Sequence, residues 1–256
     1  MLSELILELE TSKKIDCRKS SVFQSILLEK SGSEYAAKMH EINLRPYSQY
    51  IYYNNSTGRV FWNVKTTSEE AFQNLIVPLQ DNSFQNMKIE HDDIFVQIIN
   101  KNLKTLPLSN LFQDFYTKST DRNIRIRFLT PTAFKQNGQY IIYPDIRLFY
   151  QSLMRKCSAV SDKFDFMDED TLDQLVQYSK IVRYKLKSTN YPMSSVKIPA
   201  FIGEIQLKIN GPALLCNFVH VLLEMGEYLG VGIKAAMGMG AIEIIDRRDE
   251  HDRTRS

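Results

Sequence analysis

The 256-residue chain is 43% hydrophobic, enough to bury one large core or two smaller ones, and two domains are the working expectation. Charged residues make up 24% and the formal net charge is only +2, so histone-like basicity is excluded and any nucleic-acid surface is a local patch. Cys17, Cys157 and Cys216 stand far apart with no CxxC pair and no Cys/His cluster, MLSELILELE lacks the basic start of a signal peptide, and no apolar run reaches the ~18 residues of a membrane span. Disulfides, zinc and the membrane drop out, and a soluble, reducing, cytoplasmic setting is expected.

Near the N-terminus Leu5, Leu7 and Leu9 alternate with Ile6, Glu8 and Glu10, which predicts a half-buried strand. Phe23, Ile26 and Leu27 share one face of a predicted helix from Ser21 to about Lys30. Two β-rich runs, Tyr50 to Tyr53 and Arg59 to Val64, flank NNSTG, a hairpin turn. Ser68, Glu69 and Glu70 favour the start of a helix whose apolar side is Ala71, Leu75 and Ile76. Strands at Met87 to Ile89 and Ile94 to Ile99 complete a β-α-β-β-α-β order, the ferredoxin-like unit.

The second half repeats the order from Ile124 to Leu129, where Ile124, Ile126 and Phe128 alternate with Arg125 and Arg127. Helices follow from about Arg147 to Lys156 and from Thr171 to Ile181, then strands near Arg183 to Lys187 and Phe201 to Ile209. The plainest helix runs from Pro212 to Leu229, with Gly211 and Pro212 at its start and Gly230 at its end. Ala241 to Ile245 is the last strand, and DRRDEHDRTRS reads as a frayed tail. The expected organisation is α+β: two tandem ferredoxin-like domains, residues 1–118 and 119–246, with a flexible tail at 247–256.

Six of the ten glycines lie between residues 211 and 240, and four of them make GVGIKAAMGMG, Gly230 to Gly240. Such a turn can present N–H groups to phosphates, with Lys234 adding charge; a helix cap leading into a tight turn is the plainer alternative. The paired Gly-x-Gly elements before the final strand AIEII resemble the C-terminal signature of the CRISPR-associated precursor-RNA endoribonucleases, the sixth Cas family, within the repeat-associated RNA-binding superfamily. FLTPTAF (Phe128 to Phe134) is similar to the start of that family's second domain. IPAFIGEIQL (Ile198 to Leu207) resembles its strand before the last helix, and KMHEINLRPYSQY resembles the region holding its catalytic histidine.

The resemblance implies a metal-independent endoribonuclease that cuts CRISPR precursor RNA within its repeats by 2′-hydroxyl attack, leaving 2′,3′-cyclic phosphate and 5′-hydroxyl ends. It implies no cofactor, and as partners precursor or guide RNA and other subunits of an effector complex. The alternative within the superfamily is a non-catalytic guide-RNA-binding subunit. By itself His40 reads as a surface or helix-end histidine; within the resemblance it matches the general acid/base, a task suited to an imidazole near neutral pH. Arg45 falls where the family often has a lysine, and a guanidinium can hold a phosphate through two N–H donors. The family's tyrosine on the first helix is missing, since that turn reads Phe23, Gln24, Ser25; Tyr35, Tyr47 or Ser25 is left to take its place.

For RNA binding the expected set is Gly230, Gly232, Lys234, Gly238 and Gly240 in the loop, plus Arg122, Arg125 and Arg127 as a basic stripe on one strand. A solvated face is the equal alternative for that stripe. The aromatic run Tyr47, Tyr50, Tyr52, Tyr53, Phe61 and Trp62 offers base stacking, although strands use such residues more often for packing. His91, His220 and His251 are read as structural or solvated. A nucleotide-binding role for the glycine-rich segment fits less well, because the GxxxxGK[ST] order is absent.

Overall fold

Leu5, Leu7 and Leu9 are all but inaccessible, and their period of two makes Leu2–Thr11 the central strand β1 of the first sheet. The structure, a computed structural model, describes residues 1–110, 121–161, 165–193 and 196–245. In the first half β1 is followed by helices α1 (Ser20–Lys30) and α2 (Ser33–Glu41), then strands β2 (Tyr47–Tyr53) and β3 (Val60–Thr66). Helix α3 runs from Glu69–Ala71 through a π-helical turn, Phe72–Ile76, into Val77–Gln80, and β4 (Asn86–Ile89) and β5 (Ile94–Leu106) close the unit. The sheet order is β2-β3-β1-β5-β4, with every pairing antiparallel. That is the ferredoxin-like arrangement of β1, β2, β3 and β5 with β4 added at the edge.

The second half has β6 (Asn123–Thr132), a short hairpin of β7 (Phe134–Gln136) and β8 (Gln139–Ile141), and helices α4 (Ile146–Val160) and α5 (Glu169–Tyr178). Strands β9 (Ser179–Met193) and β10 (Val196–Ile209), helix α6 (Ala213–Leu229) and β11 (Ile242–Ile245) follow. The order β11-β6-β10-β9, all antiparallel, repeats the topology of the first sheet. The fold is thus α+β with two tandem ferredoxin-like units. The expected boundary at 118/119 and the tail at 247–256 lie outside the described residues.

Three local readings change. Residues 33–41 form α2, a helix the sequence reading did not assign, with Tyr35 and Met39 on its buried face. The helix expected to reach Ile181 stops at Tyr178, because Ser179 pairs with Ile209 and starts a 15-residue strand. Val182, Tyr184 and Leu186 alternate with Arg183, Lys185 and Lys187, and the β10 partner lets this period of two win over a helical continuation. Strand β5 likewise outruns its expected end at Ile99, since its pairing with β1 persists to Leu106.

The two units are stapled by α6 and the loop after it. Ser48 Oγ on β2 donates to the Tyr228 carbonyl, and the nearly buried Lys65 Nζ on β3 donates to the Glu227 carbonyl at 3.0 Å while pairing with Glu4 at 3.0 Å. A lysine at the last turn of a helix complements its carbonyl end. Beyond α6, Gly230 takes φ +65° and caps the helix. The Val231 N–H then donates to Gly240 O, and the Gly240 N–H to Pro131 O. Gly240 has φ +70°, and a Cβ there would lie 1.9 Å from the Val231 carbonyl oxygen. Gly240→Ala is therefore expected to cost more than the ~1–2 kcal/mol of a left-handed L-residue. Thermal unfolding followed by circular dichroism should show a melting temperature lower by at least about 4 °C; an unchanged value would mean that the loop is not packed as described.

Candidate active site

The last turn of α2 carries His40, exposed to solvent. The helix starts at Gly32, whose φ is +84° and whose carbonyl accepts the Ala36 N–H, and Tyr35 and Met39, four residues apart, press it onto the first core. Its end is fixed by Arg45, whose Nε donates to the Met39 carbonyl at 2.8 Å. This bond folds the 42–46 segment back so that His40, Arg45 and Tyr47 line one cleft.

The opposite wall comes from the second unit: Lys156 of α4, and Gly232, Lys234, Ala235 and Ala236 of the glycine-rich loop. The cleft has a volume of about 370 Å³, of nucleotide rather than macromolecule size. Four basic side chains line it, His40, Arg45, Lys156 and Lys234, and no carboxylate does among the described residues. Tyr47 is almost fully buried; burial raises its phenol pKa, against the Gln24 amide that hydrogen-bonds its oxygen and the nearby Arg45. It can donate a hydrogen bond into the cleft but is not a base at neutral pH.

The loop is held in place by its own amides. The N–H groups of Gly232, Ile233 and Met239 donate to Ser152 Oγ, Ala133 O and Lys234 O, and that of Gly238 to Ala235 O. Ala236 enters the first unit's core, Gln49 Nε2 donates to its carbonyl at 3.0 Å, and Tyr191 Oη donates to the Met237 carbonyl. A Cβ on Gly238 would lie 2.1 Å from Ser20 Cβ.

Several sequence-derived assignments therefore change. Gly230, Gly238 and Gly240 are buried, and with Gly232 their amides are bonded internally, so in this fold these glycines shape the loop and their N–H groups are already taken. Lys234 is the exposed member. Tyr35 lies in the first core, 5% exposed, with its hydroxyl unpartnered among the described residues, and it does not line the cleft. Ser25 is spent on the Ser21 carbonyl.

The arginine stripe is also occupied. Arg127 bridges Glu204 at 2.7 Å and Glu243 at 3.0 Å, Arg125 pairs with Glu204 at 3.2 Å, and Arg122 donates to the Ile209 and Gly211 carbonyls. Of the aromatic run, Tyr47, Tyr50 and Trp62 pack inside while Tyr52 stays exposed. Lys156 escaped the sequence reading because it belongs to a helix whose amphipathic pattern explains it as ordinary surface. So did the exposed cations of β9, Arg183, Lys185 and Lys187, which form no ion pair among the described residues.

A family model for "CRISPR-associated endoribonuclease Cas6" matches residues 126–242. A CRISPR-associated endoribonuclease Cas6 of Mycobacterium tuberculosis is 31% identical over 247 residues, 95% of this chain and 78% of that protein. The chain belongs to the Cas6 endoribonuclease family. A Streptococcus thermophilus member is 30% identical over 228 residues, covering 89% of this chain and 91% of that protein. Among solved structures a Cas6 product complex aligns with TM-score 0.79 at 18% identity, over 96% of this chain and all of the other. The alignment with the Mycobacterium tuberculosis protein spans both units, whereas the family model lies within the second, and the cleft between His40 and the glycine-rich loop is lined by residues of both.

The cleft walls are registered by Gln49. Its buried amide donates to Ser20 O at 2.8 Å and to Ala236 O, and its oxygen accepts the Trp62 Nε1–H at 2.9 Å. Gln49→Ala would orphan a buried indole N–H and two carbonyls. A loss of about 2–4 kcal/mol in urea unfolding is expected. A change under 1 kcal/mol would show that the loop is held by something else.

Proposed function

We propose that the chain is a metal-independent endoribonuclease that cuts CRISPR precursor RNA within its repeats, by attack of a 2′-hydroxyl on the adjacent phosphate. The observation that carries this reading is the cleft's lining of one histidine and three cations, with no carboxylate among the described residues: it suits an anion and side-chain proton transfer, and offers little to a hard divalent cation. As the 2′-oxygen bonds to phosphorus it gives up its proton, the bond to the 5′-oxygen breaks, and that oxygen takes up a proton. The products are a 2′,3′-cyclic phosphate and a 5′-hydroxyl.

His40 serves as the general acid/base. Arg45, oriented by its bond to the Met39 carbonyl, and Lys234 on the facing loop offset the charge on the phosphorane oxygens. Tyr47 donates a hydrogen bond. Residues 1–118 supply the histidine wall and 119–246 the loop wall, and the exposed Arg183, Lys185 and Lys187 of β9 track the RNA backbone leading to the cut. The reaction takes place in the cytoplasm, where the three free cysteines stay reduced.

His40→Ala should slow single-turnover cleavage of repeat RNA by at least ~100-fold and leave RNA affinity nearly unchanged. Arg45→Lys should retain more activity than Arg45→Ala. Cleavage should proceed equally in EDTA, yield a cyclic phosphate and a 5′-hydroxyl, and cease when the nucleotide 5′ of the cut is 2′-deoxy. Loss of activity in EDTA, or cutting of the deoxy substrate, would overturn the 2′-hydroxyl mechanism. Undiminished cleavage by His40→Ala would remove His40 from the site.

A further inference from the structure

Helix α4 ends in a sequence, RKCSAV, whose second residue does something its neighbours do not. Arg155 points to solvent and Cys157 is buried in the second core, while Lys156 lies between them, partly buried, and reaches the cleft floor. Its Nζ donates to Gly230 O at 3.0 Å and Leu229 O at 3.2 Å, the carbonyls at the end of α6. An ammonium has three N–H donors. Two are used, the third has no partner among the described residues, and no described carboxylate lines the cleft beside it.

An ammonium withdrawn from water without a counter-anion is costly, and its charged form is disfavoured. Burial pushes Lys156 down to about 7, despite the small opposing pull of Cys157. The groups that share the cleft deepen the need for an anion: His40 from α2, Arg45 and Tyr47 from the segment leading into β2, and Lys234 from the loop. The Cys157 thiol is pushed up to about 12 by burial and is neutral, so it supplies no counter-charge.

We propose that Lys156 is a phosphate-binding group of this cleft, its two carbonyl bonds aiming the third N–H at a non-bridging oxygen of the RNA backbone. The assignment rests on the RNA-cleaving reading of the cleft and adds to it a cation from the second unit. A helix-capping lysine alone satisfies two carbonyls and is indifferent to RNA. A phosphate ligand gains its missing anion when RNA arrives, so its pKa rises in the complex and RNA binding takes up a proton. Affinity is then greatest below the free value of about 7 and falls as pH rises through it.

The test is the equilibrium affinity for repeat RNA carrying one 2′-deoxy nucleotide at the cut, measured from pH 6 to 8.5 on the full chain. Wild type and His40→Ala should both lose affinity above pH 7, approaching tenfold per pH unit for one proton. Lys156→Met should bind about tenfold more weakly at pH 6.5 and lack that dependence. Lys156→Arg, a permanent cation, should retain affinity at pH 8 and also lack it, and it carries the test should Lys156→Met fail to fold. A wild-type affinity flat across this range, or a slope that survives in both Lys156 variants, overturns the assignment and leaves Lys156 a helix cap. The parent reading is scored separately: a cleavage-dead His40→Ala with an unchanged slope in the Lys156 variants sinks only the lysine. Cleavage by His40→Ala sinks the histidine mechanism whatever Lys156 does.

Discussion

One buried carboxamide holds the two halves of the cleft in register. Gln49, on β2, bonds the start of α1 through Ser20 O, the core of its own unit through the Trp62 indole, and the glycine-rich loop of the other unit through Ala236 O. An amide buried at 1% exposure is tolerable only with its partners in place, so the loop has one seat. Ala236 beside it adds apolar contact, and Gly238 lets the loop pass within touching distance of Ser20. His40 and Lys234, nearly 200 residues apart in sequence, face each other across a cleft whose width these contacts set.

The same seat determines the electrostatics. Helix α6 ends at the junction, and its carbonyls are met by lysines from both units: Lys65 at Glu227 O, and Lys156 at Leu229 O and Gly230 O. Lys65 finds Glu4 as a counter-ion and is structural. Lys156 finds none among the described residues, and it stands on the cleft side with three other basic groups. Positive charge assembled without compensation among the described residues raises the energy of the empty cleft and would be relieved by a polyanion, whereas the arginines of β6 are already paired. Those arginines hold Glu204 and Glu243 across three strands and knit the second sheet.

Much of this was legible in the sequence, and the part that was not has identifiable causes. The two β-α-β-β-α-β units were readable because Leu5/Leu7/Leu9 and Ile124/Ile126/Phe128 keep a clean period of two. Helix α6 was readable because Pro212 and Gly230 punctuate it. His40 and Arg45 were named from the resemblance and Lys234 from the glycine-rich turn that carries it, and the structure brings all three to one cleft. Pairing across distance was invisible: nothing near Arg125 or Arg127 announces Glu204 or Glu243. The boundary between α5 and β9 depends on Ile209, thirty residues away from Ser179. The packing of the loop glycines was not legible because a turn that packs and a turn that binds phosphate have the same composition, and the internal partners of their amides emerge only in the fold. Tyr35 and Tyr47 looked equivalent in the sequence; the fold buries both in the first core, and of the two Tyr47 also borders the cleft.

The central claim is that chemistry occurs where the two units meet, between the last turn of α2 and the loop seated by Gln49. A crystal structure of the chain with repeat RNA made uncleavable by a single 2′-deoxy nucleotide tests it most directly. The account predicts the scissile phosphate within hydrogen-bond reach of the His40 imidazole, with Lys234 on its far side. A scissile phosphate lying against β9 or the open face of the second sheet, away from His40, would contradict it.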